Sequence, residues 1–455
     1  MKIWQSQKLV NYWKRLTIGS VNRQIFRAAV TVGLFTILVK IVAVAKELVV
    51  AQKFGTGDDL DAFFIAFLIP SSIISVVAGS FNAALIPTYI QVREREGKKA
   101  AQKLFSGTTV WSLGLLGITT ILTVASAPWY LPLMARGFSP EKLDLTFHLL
   151  CAIAPLVMLT GFVVIWSAVL NAGERFAIAA VSPIITPIVT ILLLLIVVKS
   201  WGIYALVAGL ICGAALELTF LGIALHRQGI SLLPRWYGFD SHLRQVTKQY
   251  LPMIAGALLM SSTSLVDQAM AAMLPSGSVA ALNYGNKVIA LPISLSTTAL
   301  STAVIPYFSK MVASDDWAGI RRTLNHYLRI IFVVTVVLGG FLFAFSELIV
   351  RILFQRGSFT ANDTHLVAQI QSCFALQIPF YVAGILVVRL ISAVKANHIL
   401  MYGSAINLIA NISLNYIFMQ KMGITGIALS TSCVYAISFS YLFYNWCLLS
   451  RKYSP

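Results

Sequence analysis

Twelve long apolar stretches recur along this chain, at roughly 25–50, 60–90, 104–128, 144–170, 176–198, 202–225, 249–273, 279–308, 324–350, 365–390, 398–419 and 424–449. About 20 apolar residues in helical conformation cross the hydrocarbon core of a bilayer. No water is present there to satisfy backbone N–H and C=O groups, so a lipid-exposed span of this kind closes its hydrogen bonds within itself as a helix. The expected fold class is all-α and polytopic, with about twelve transmembrane helices. Pro70, Pro155, Pro183, Pro187, Pro252, Pro292 and Pro379 interrupt several spans, which is tolerated where neighbouring helices or water re-satisfy the freed carbonyls.

Composition agrees with a membrane assignment and narrows the partners. Of the 455 residues, 58% are hydrophobic and 11% charged, against about 45–50% and 25% in soluble domains. The net charge of +18 does not indicate nucleic acid, because the basic residues lie in short loops and form no stripe interleaved with aromatics. Those residues concentrate in alternate loops, on the side that carries the N-terminus, which puts both termini in the cytoplasm. Met1–Arg23 holds Lys2, Lys8, Lys14, Arg15 and Arg23 without a long apolar core or a cleavage pattern, so it is not read as a cleavable signal. It is either a surface helix with Trp4, Leu9, Trp13 and Leu16 on one face or an unstructured basic leader. Cys151, Cys212, Cys373, Cys433 and Cys447 fall in apolar runs without a CxxC pair, so they read as packing residues rather than metal ligands.

The longest linker, His226–Lys248, is basic and contains Pro234 and Gly238. It divides the chain into two sets of six spans that resemble each other at an offset of about 220 residues: Ala84-Leu-Ile-Pro87 recurs as Ala303-Val-Ile-Pro306, Arg136-Gly137 as Arg356-Gly357, and Gly202-Ile203 as Gly423-Ile424. Six spans per half keep both halves in one orientation, which makes this a parallel repeat, and transporters often bind substrate between such halves. The expected organisation is a basic segment 1–24, a first six-helix lobe 25–226, a cytoplasmic linker 227–248, a second lobe 249–450 and a cytoplasmic tail 451–455.

Against this apolar background the intramembrane charges are the candidate functional residues. Lys40 and Lys46 lie in the first span and Lys287 in the eighth, without a matching set of adjacent carboxylates. A charge at the bilayer centre costs about 2.5–3.5 kcal/mol on insertion scales, so three cations point to a wet cavity or an anionic ligand. The alternative is local: Lys40 and Glu47, seven apart, share a helix face and can pair, and Lys46 can snorkel to the surface. Asp58, Asp59 and Asp61 follow the first span. They read as helix caps or a gate, or as the acidic site of a glycosyltransferase using polyprenyl-linked sugars. Asp267 sits mid-span among hydroxyls; Asn407 and Asn411, four apart, share a face of a later span, and Thr431 lies in the next. Oxygen ligands of this type suit a small hard cation, while interhelical hydrogen bonding is the plainer reading. Glu217 and Arg389 are also intramembrane or close to it and carry no assignment. No P-loop, HExxH, GxSxG or nucleotide fingerprint is present, so neither ATP-driven transport by this chain alone nor a bound cofactor is expected.

Asp61-Ala-Phe-Phe-Ile-Ala-Phe67, Ala84-Leu-Ile-Pro87, Leu170-Asn-Ala-Gly-Glu-Arg-Phe176, Ser276-Gly-Ser-Val-Ala-Ala-Leu-Asn-Tyr284 and Leu353-Phe-Gln-Arg-Gly-Ser-Phe-Thr360 resemble the MurJ/MviN lipid II flippases. These belong to the multidrug/oligosaccharidyl-lipid/polysaccharide exporter superfamily. The resemblance runs from about residue 25 to 450. It implies two six-helix lobes in a V around a cationic central cavity, alternating access, and a substrate of undecaprenyl-pyrophosphate bearing the peptidoglycan precursor. Family arginines match Lys40, Lys46 and Lys287, the expected pyrophosphate ligands, and the family's acidic residue at the start of the second span matches Asp61, the expected gate. All three arginines are lysine here, a point charge without the planar fork. Family members also carry basic residues in the second span, where this chain has Ile74-Ser-Val-Val-Ala-Gly79, and commonly two further C-terminal spans.

The expectation is thus a multi-pass flippase of the bacterial cytoplasmic membrane, not an enzyme, for lipid II or a similar cell-wall precursor. Asp267, Asn407, Asn411 and Thr431 are the candidates for coupling to sodium or protons, with membrane potential as another driving force. Membrane lipids, and cell-wall or polysaccharide assembly proteins, are the expected partners. The alternatives are a flippase for an exopolysaccharide lipid, a cation-coupled drug exporter, the glycosyltransferase, and a scaffold of a polysaccharide assembly complex.

Overall fold

A computed structural model describes residues 21–173, 175–233, 235–394 and 396–452; most of the expected basic N-terminal segment, residues 1–20, lies outside them. Most of the described residues are helical, and none is in a strand. In chain order the helices are α1 (Val21–Phe54), α2 (Asp58–Ile73), α3 (Gly79–Glu96), α4 (Lys98–Met134), α5 (Pro140–Ala172), α6 (Phe176–Val181), α7 (Ile185–Trp201), α8 (Tyr204–His226), α9 (Ser241–Ala271), α10 (Ser278–Ala313), α11 (Trp317–Ala344), α12 (Ser346–Phe354), α13 (Ala361–Ala375), α14 (Ile378–Ala393), α15 (Asn397–Met422) and α16 (Ile424–Lys452). A π-helical turn, Ile74–Ala78, joins α2 to α3. Local widening of this kind often marks functional positions.

Eight helices among the described residues are long and apolar enough to cross a membrane. The other four expected spans, the first, seventh, eighth and eleventh, fall in helices of 34, 31, 36 and 26 residues. At about 1.5 Å per residue each is long enough to cross. They are also the helices that hold Lys40, Lys46, Asp267, Lys287, Asn407 and Asn411.

The described residues form two compact units: 21–49 with Ile73–Thr120 and Ala154–Leu251, and Val50–Ser72 with Ile121–Ile153 and 252–452. In the first unit α7 and α8 make a hairpin of very close approach. A Cβ on Gly209 would lie 2.7 Å from Thr190 Cα, and one on Gly213 2.7 Å from Thr186 Cα. Two glycines four apart let helix backbones meet where side chains would hold them apart, a common membrane packing device. The segment after α8 lies against α4: Gln102 Nε2 donates to Ser231 O at 3.0 Å, and Ser106 Oγ to Arg235 O at 2.9 Å.

The second unit contains the corresponding hairpin, α15–α16, and the repeat is visible in its corner. Gly202 ends α7 at φ 51°, ψ −132° and Gly423 ends α15 at φ 58°, ψ −135°. A side chain is disfavoured at such angles, which accounts for the recurring Gly-Ile pair. Its core is aromatic where α10 meets the end of α12: buried Tyr284 packs on Phe354 and Phe359 at ring-centroid distances of 5.1 and 5.5 Å.

Candidate functional site

The three lysines occupy different environments. Lys40 is exposed on α1. Lys46 is half-buried, and its Nζ lies 2.7 Å from Glu47 Oε1, so part of its charge is met by the adjacent carboxylate. Both lysines lie in the first unit. In the second unit, Lys287 extends from α10 with its Nζ 4.9 Å from the centroid of Phe64 and 5.3 Å from that of Tyr284. Ring faces attract an ammonium without neutralising it.

Asp61 is 1% exposed and is fully engaged. Its Oδ2 accepts from Gly277 N–H at 2.7 Å and from Lys142 Nζ at 2.9 Å, and its Oδ1 accepts from Ala280 N–H at 2.7 Å. The first amides of a helix have no partner within the helix, and a carboxylate there also meets the positive end of the helix dipole. Asp61 therefore caps α10 from more than 200 residues away in sequence. Asp58 accepts from Lys142 Nζ at 2.5 Å and from Ser276 Oγ at 2.7 Å. It starts α2 and engages residues of other segments rather than serving only as a local cap.

The neighbouring helix ends interlock through backbone. Ser358 N–H donates to Gln52 O at 2.9 Å, Ser358 Oγ to Lys53 O at 3.1 Å, and Thr56 Oγ1 to Asp363 Oδ1. Asp363 also completes the capping box of α13 with Thr360. Here the repeated Arg-Gly pair gains a physical meaning. A Cβ on Gly137 would lie 2.5 Å from Ala272 O, and one on Gly357 would run into Gln52 O. The offset that relates the two glycines also relates Gln52 to Ala272, so the corner of each half packs against the corresponding helix end of the other. All of these contacts lie within the second unit.

Asp267 gathers a second polar cluster. Its Oδ1 accepts from Asn411 Nδ2 at 2.9 Å and Asn415 Nδ2 at 2.7 Å, and its Oδ2 accepts from Thr431 Oγ1 at 3.3 Å. A cavity of about 130 Å³ lies beside it, lined also by Thr263, Ser264, Asn283 and Asn286. Asn415 Oδ1 is buried without a hydrogen-bond partner among the described residues. Turning either amide end for end would present a carbonyl oxygen beside the carboxylate, giving the oxygen-rich ligand set that a small hard cation takes. Asn407 is one helical turn from this cluster and instead donates to Ser438 Oγ at 2.9 Å. With Arg389 and Tyr381 it lines a separate cavity of about 440 Å³, and Tyr435 borders both cavities.

Glu217 is explained locally, by Ser182 Oγ at 3.1 Å and Thr186 Oγ1 at 2.9 Å, on the helix face that carries Gly209 and Gly213. Two residues of these clusters were missed in the sequence. Asn415 continues the four-residue row of Asn407 and Asn411, so a signal for it existed. Lys142, between Glu141 and Leu143 at the start of α5, carries no local mark.

Comparison with known proteins agrees with this architecture. The lipid II flippase MurJ family model matches residues 50–452. A protein of Synechocystis described as "Probable lipid II flippase MurJ" is 25% identical over 450 residues, covering 95% of this chain and 83% of its own. The lipid II flippase MurJ of Burkholderia cenocepacia is 24% identical over 422 residues, covering 89% and 80%. Among solved structures, lipid II flippase MurJ in an inward closed conformation superposes with a TM-score of 0.77 at 23% identity, covering 91% of this chain and 87% of that one. An inward-facing multidrug resistance MATE family transporter of the MOP superfamily gives 0.78 at 14% identity, covering 93% and 98%; these two likenesses speak to fold alone. The family match spans most of the chain, including Asp61, Asp267 and Lys287, and the chain belongs to the MurJ lipid II flippase family.

Proposed function

We propose that this chain moves a polyprenyl-pyrophosphate-linked saccharide, lipid II or a close cell-wall analogue, from the cytoplasmic to the outer leaflet of the bacterial cytoplasmic membrane. The family match over residues 50–452 carries this reading. In it, twelve spans form two six-helix lobes, 25–226 and 249–450, which rock about the substrate with both termini in the cytoplasm. Lys40, Lys46 and Lys287 bind the pyrophosphate as point charges. Each charge-assisted contact is worth about 1.5–3 kcal/mol, so removing one weakens binding about ten- to a hundredfold. Asp61, capping α10 at 2.7 Å, belongs to the outer gate, and opening that gate breaks both of its hydrogen bonds from backbone N–H groups. Asp267, with Asn411, Asn415 and Thr431 around it, couples a sodium ion or proton to the cycle. No covalent bond of the cargo changes.

Native mass spectrometry of the purified chain tests the cargo. A retained polyprenyl-pyrophosphate saccharide, lost in Lys40→Gln and Lys287→Gln, supports the reading, and the mass of its sugar separates a peptidoglycan precursor from an exopolysaccharide unit. Retention unchanged in both variants removes the lysines from the site.

A further inference from the structure

We propose that Lys142 is a positioning residue for the gate: its ammonium holds Asp61 and Asp58 together so that Asp61 stays aimed at the start of α10. This rests on the reading of Asp61 as a gate residue and adds the partner that makes it work. Lys142 Nζ lies 2.9 Å from Asp61 Oδ2 and 2.5 Å from Asp58 Oδ1, so the two carboxylates face each other across one cation. The Asp61 side chain is 2% exposed and that of Lys142 10%. A buried carboxylate without a countercharge is costly, and removing one partner of a buried pair is strongly destabilising. The two amides that Asp61 receives are neutral donors from α10; among the described residues Lys142 is the cation in contact with it.

Lys142 is itself held in place. Its Nζ lies 4.0 Å from the centroid of Phe138, its N–H donates to Ser139 Oγ at 3.3 Å, and its carbonyl accepts from Thr146 Oγ1 at 2.7 Å. Phe138 and Ser139 directly follow the Gly137 corner, so the corner that packs on Ala272 also aims the ammonium. Lys142 and both aspartates come from the first half of the sequence, whereas Gly277 and Ala280 come from the second. When the amides of α10 leave, Lys142 remains as the partner of Asp61, and the carboxylate is preset for the return.

Hydrogen exchange of the full-length protein in lipid nanodiscs, read on a peptide spanning residues 275–282, tests this together with thermal unfolding. The Gly277 and Ala280 amides are bonded to Asp61, so their protection reports the closed gate. Lys142→Gln is expected to speed their exchange about ten- to a hundredfold, the loss of one charge-assisted contact. Lys142→Arg is expected to restore it, and Lys142→Gln is expected to add little on an Asp61→Asn background, because coupled partners are not additive. Wild-type exchange in Lys142→Gln overturns the proposal alone, provided that Asp61→Asn speeds exchange. No effect of Asp61→Asn overturns the gate reading as well. Equal effects of Lys142→Gln with and without Asp61, or a uniform rise in exchange with a matching fall in unfolding temperature, assign Lys142 a merely structural role and overturn the proposal.

Discussion

Gly137→Ala separates the packing of the helix-end cluster from its charges. Gly137 has a backbone that a side chain tolerates, since its φ is not among the positive values in the chain. The only obstacle is space. An added Cβ would lie 2.5 Å from Ala272 O and 2.9 Å from Met273 Cα, both backbone atoms, where ordinary contact begins at 3.4 Å. Relief therefore needs a backbone shift of almost 1 Å (about the gap between 2.5 and 3.4 Å), with no flexible side chain to absorb it. Overpacking of this kind costs about 1–3 kcal/mol. If the strain exists only while the ends are packed, it enters the closing equilibrium in full and shifts it about 5- to 150-fold. Exchange of the Gly277 and Ala280 amides should accelerate by that factor in Gly137→Ala. Gly114→Ala, where a Cβ meets nothing within 4 Å, should leave it unchanged. Wild-type exchange in Gly137→Ala would show that the Arg-Gly corner does not hold the closed state, and the reciprocal packing would lose its mechanical meaning.

Asp267→Asn should abolish any dependence of translocation on a sodium or proton gradient, and Asn415→Ala should weaken it; dye-monitored transport in vesicles under an imposed gradient measures both, and an unaltered response removes the ion site. Gly213→Ala, whose Cβ would lie 2.7 Å from Thr186 Cα and 3.0 Å from its carbonyl oxygen, should destabilise the α7–α8 hairpin by about 1–3 kcal/mol, seen as a lower thermal midpoint. Glu217→Leu should also lower that midpoint by leaving the Ser182 and Thr186 hydroxyls without their carboxylate, while Glu217→Gln, which keeps an acceptor, should cost less than about 1 kcal/mol.

Much of the fold is legible because the bilayer restricts the choices: a long apolar run there becomes a helix, and the repeat was readable from three short matches. Their physical reasons were not. Gly202 and Gly423 recur for a backbone angle, whereas Gly137 and Gly357 recur for contacts with residues far away in sequence, and a string of letters does not distinguish the two. Candidate sites divide in the same way. Asp267, Asn411 and Thr431 were readable because a carboxylate and amides inside spans are expensive and need partners, and Asn415 lay on the same row. Asp61 was marked by resemblance, but its role as cap of α10 depends on tertiary structure. Lys142 was hidden because a lysine beside a helix start resembles any loop cation until Asp58 and Asp61 are placed next to it.

The most direct test of the central claim is translocation of a fluorescent polyprenyl-pyrophosphate saccharide by the full-length chain in sealed vesicles. The wild type should deliver cargo to the opposite leaflet, with Lys40→Gln and Lys287→Gln each slower by about tenfold or more at limiting cargo, the loss of one charge-assisted phosphate contact. A wild-type chain that moves no such lipid, or lysine variants that move it at the wild-type rate, would contradict the account.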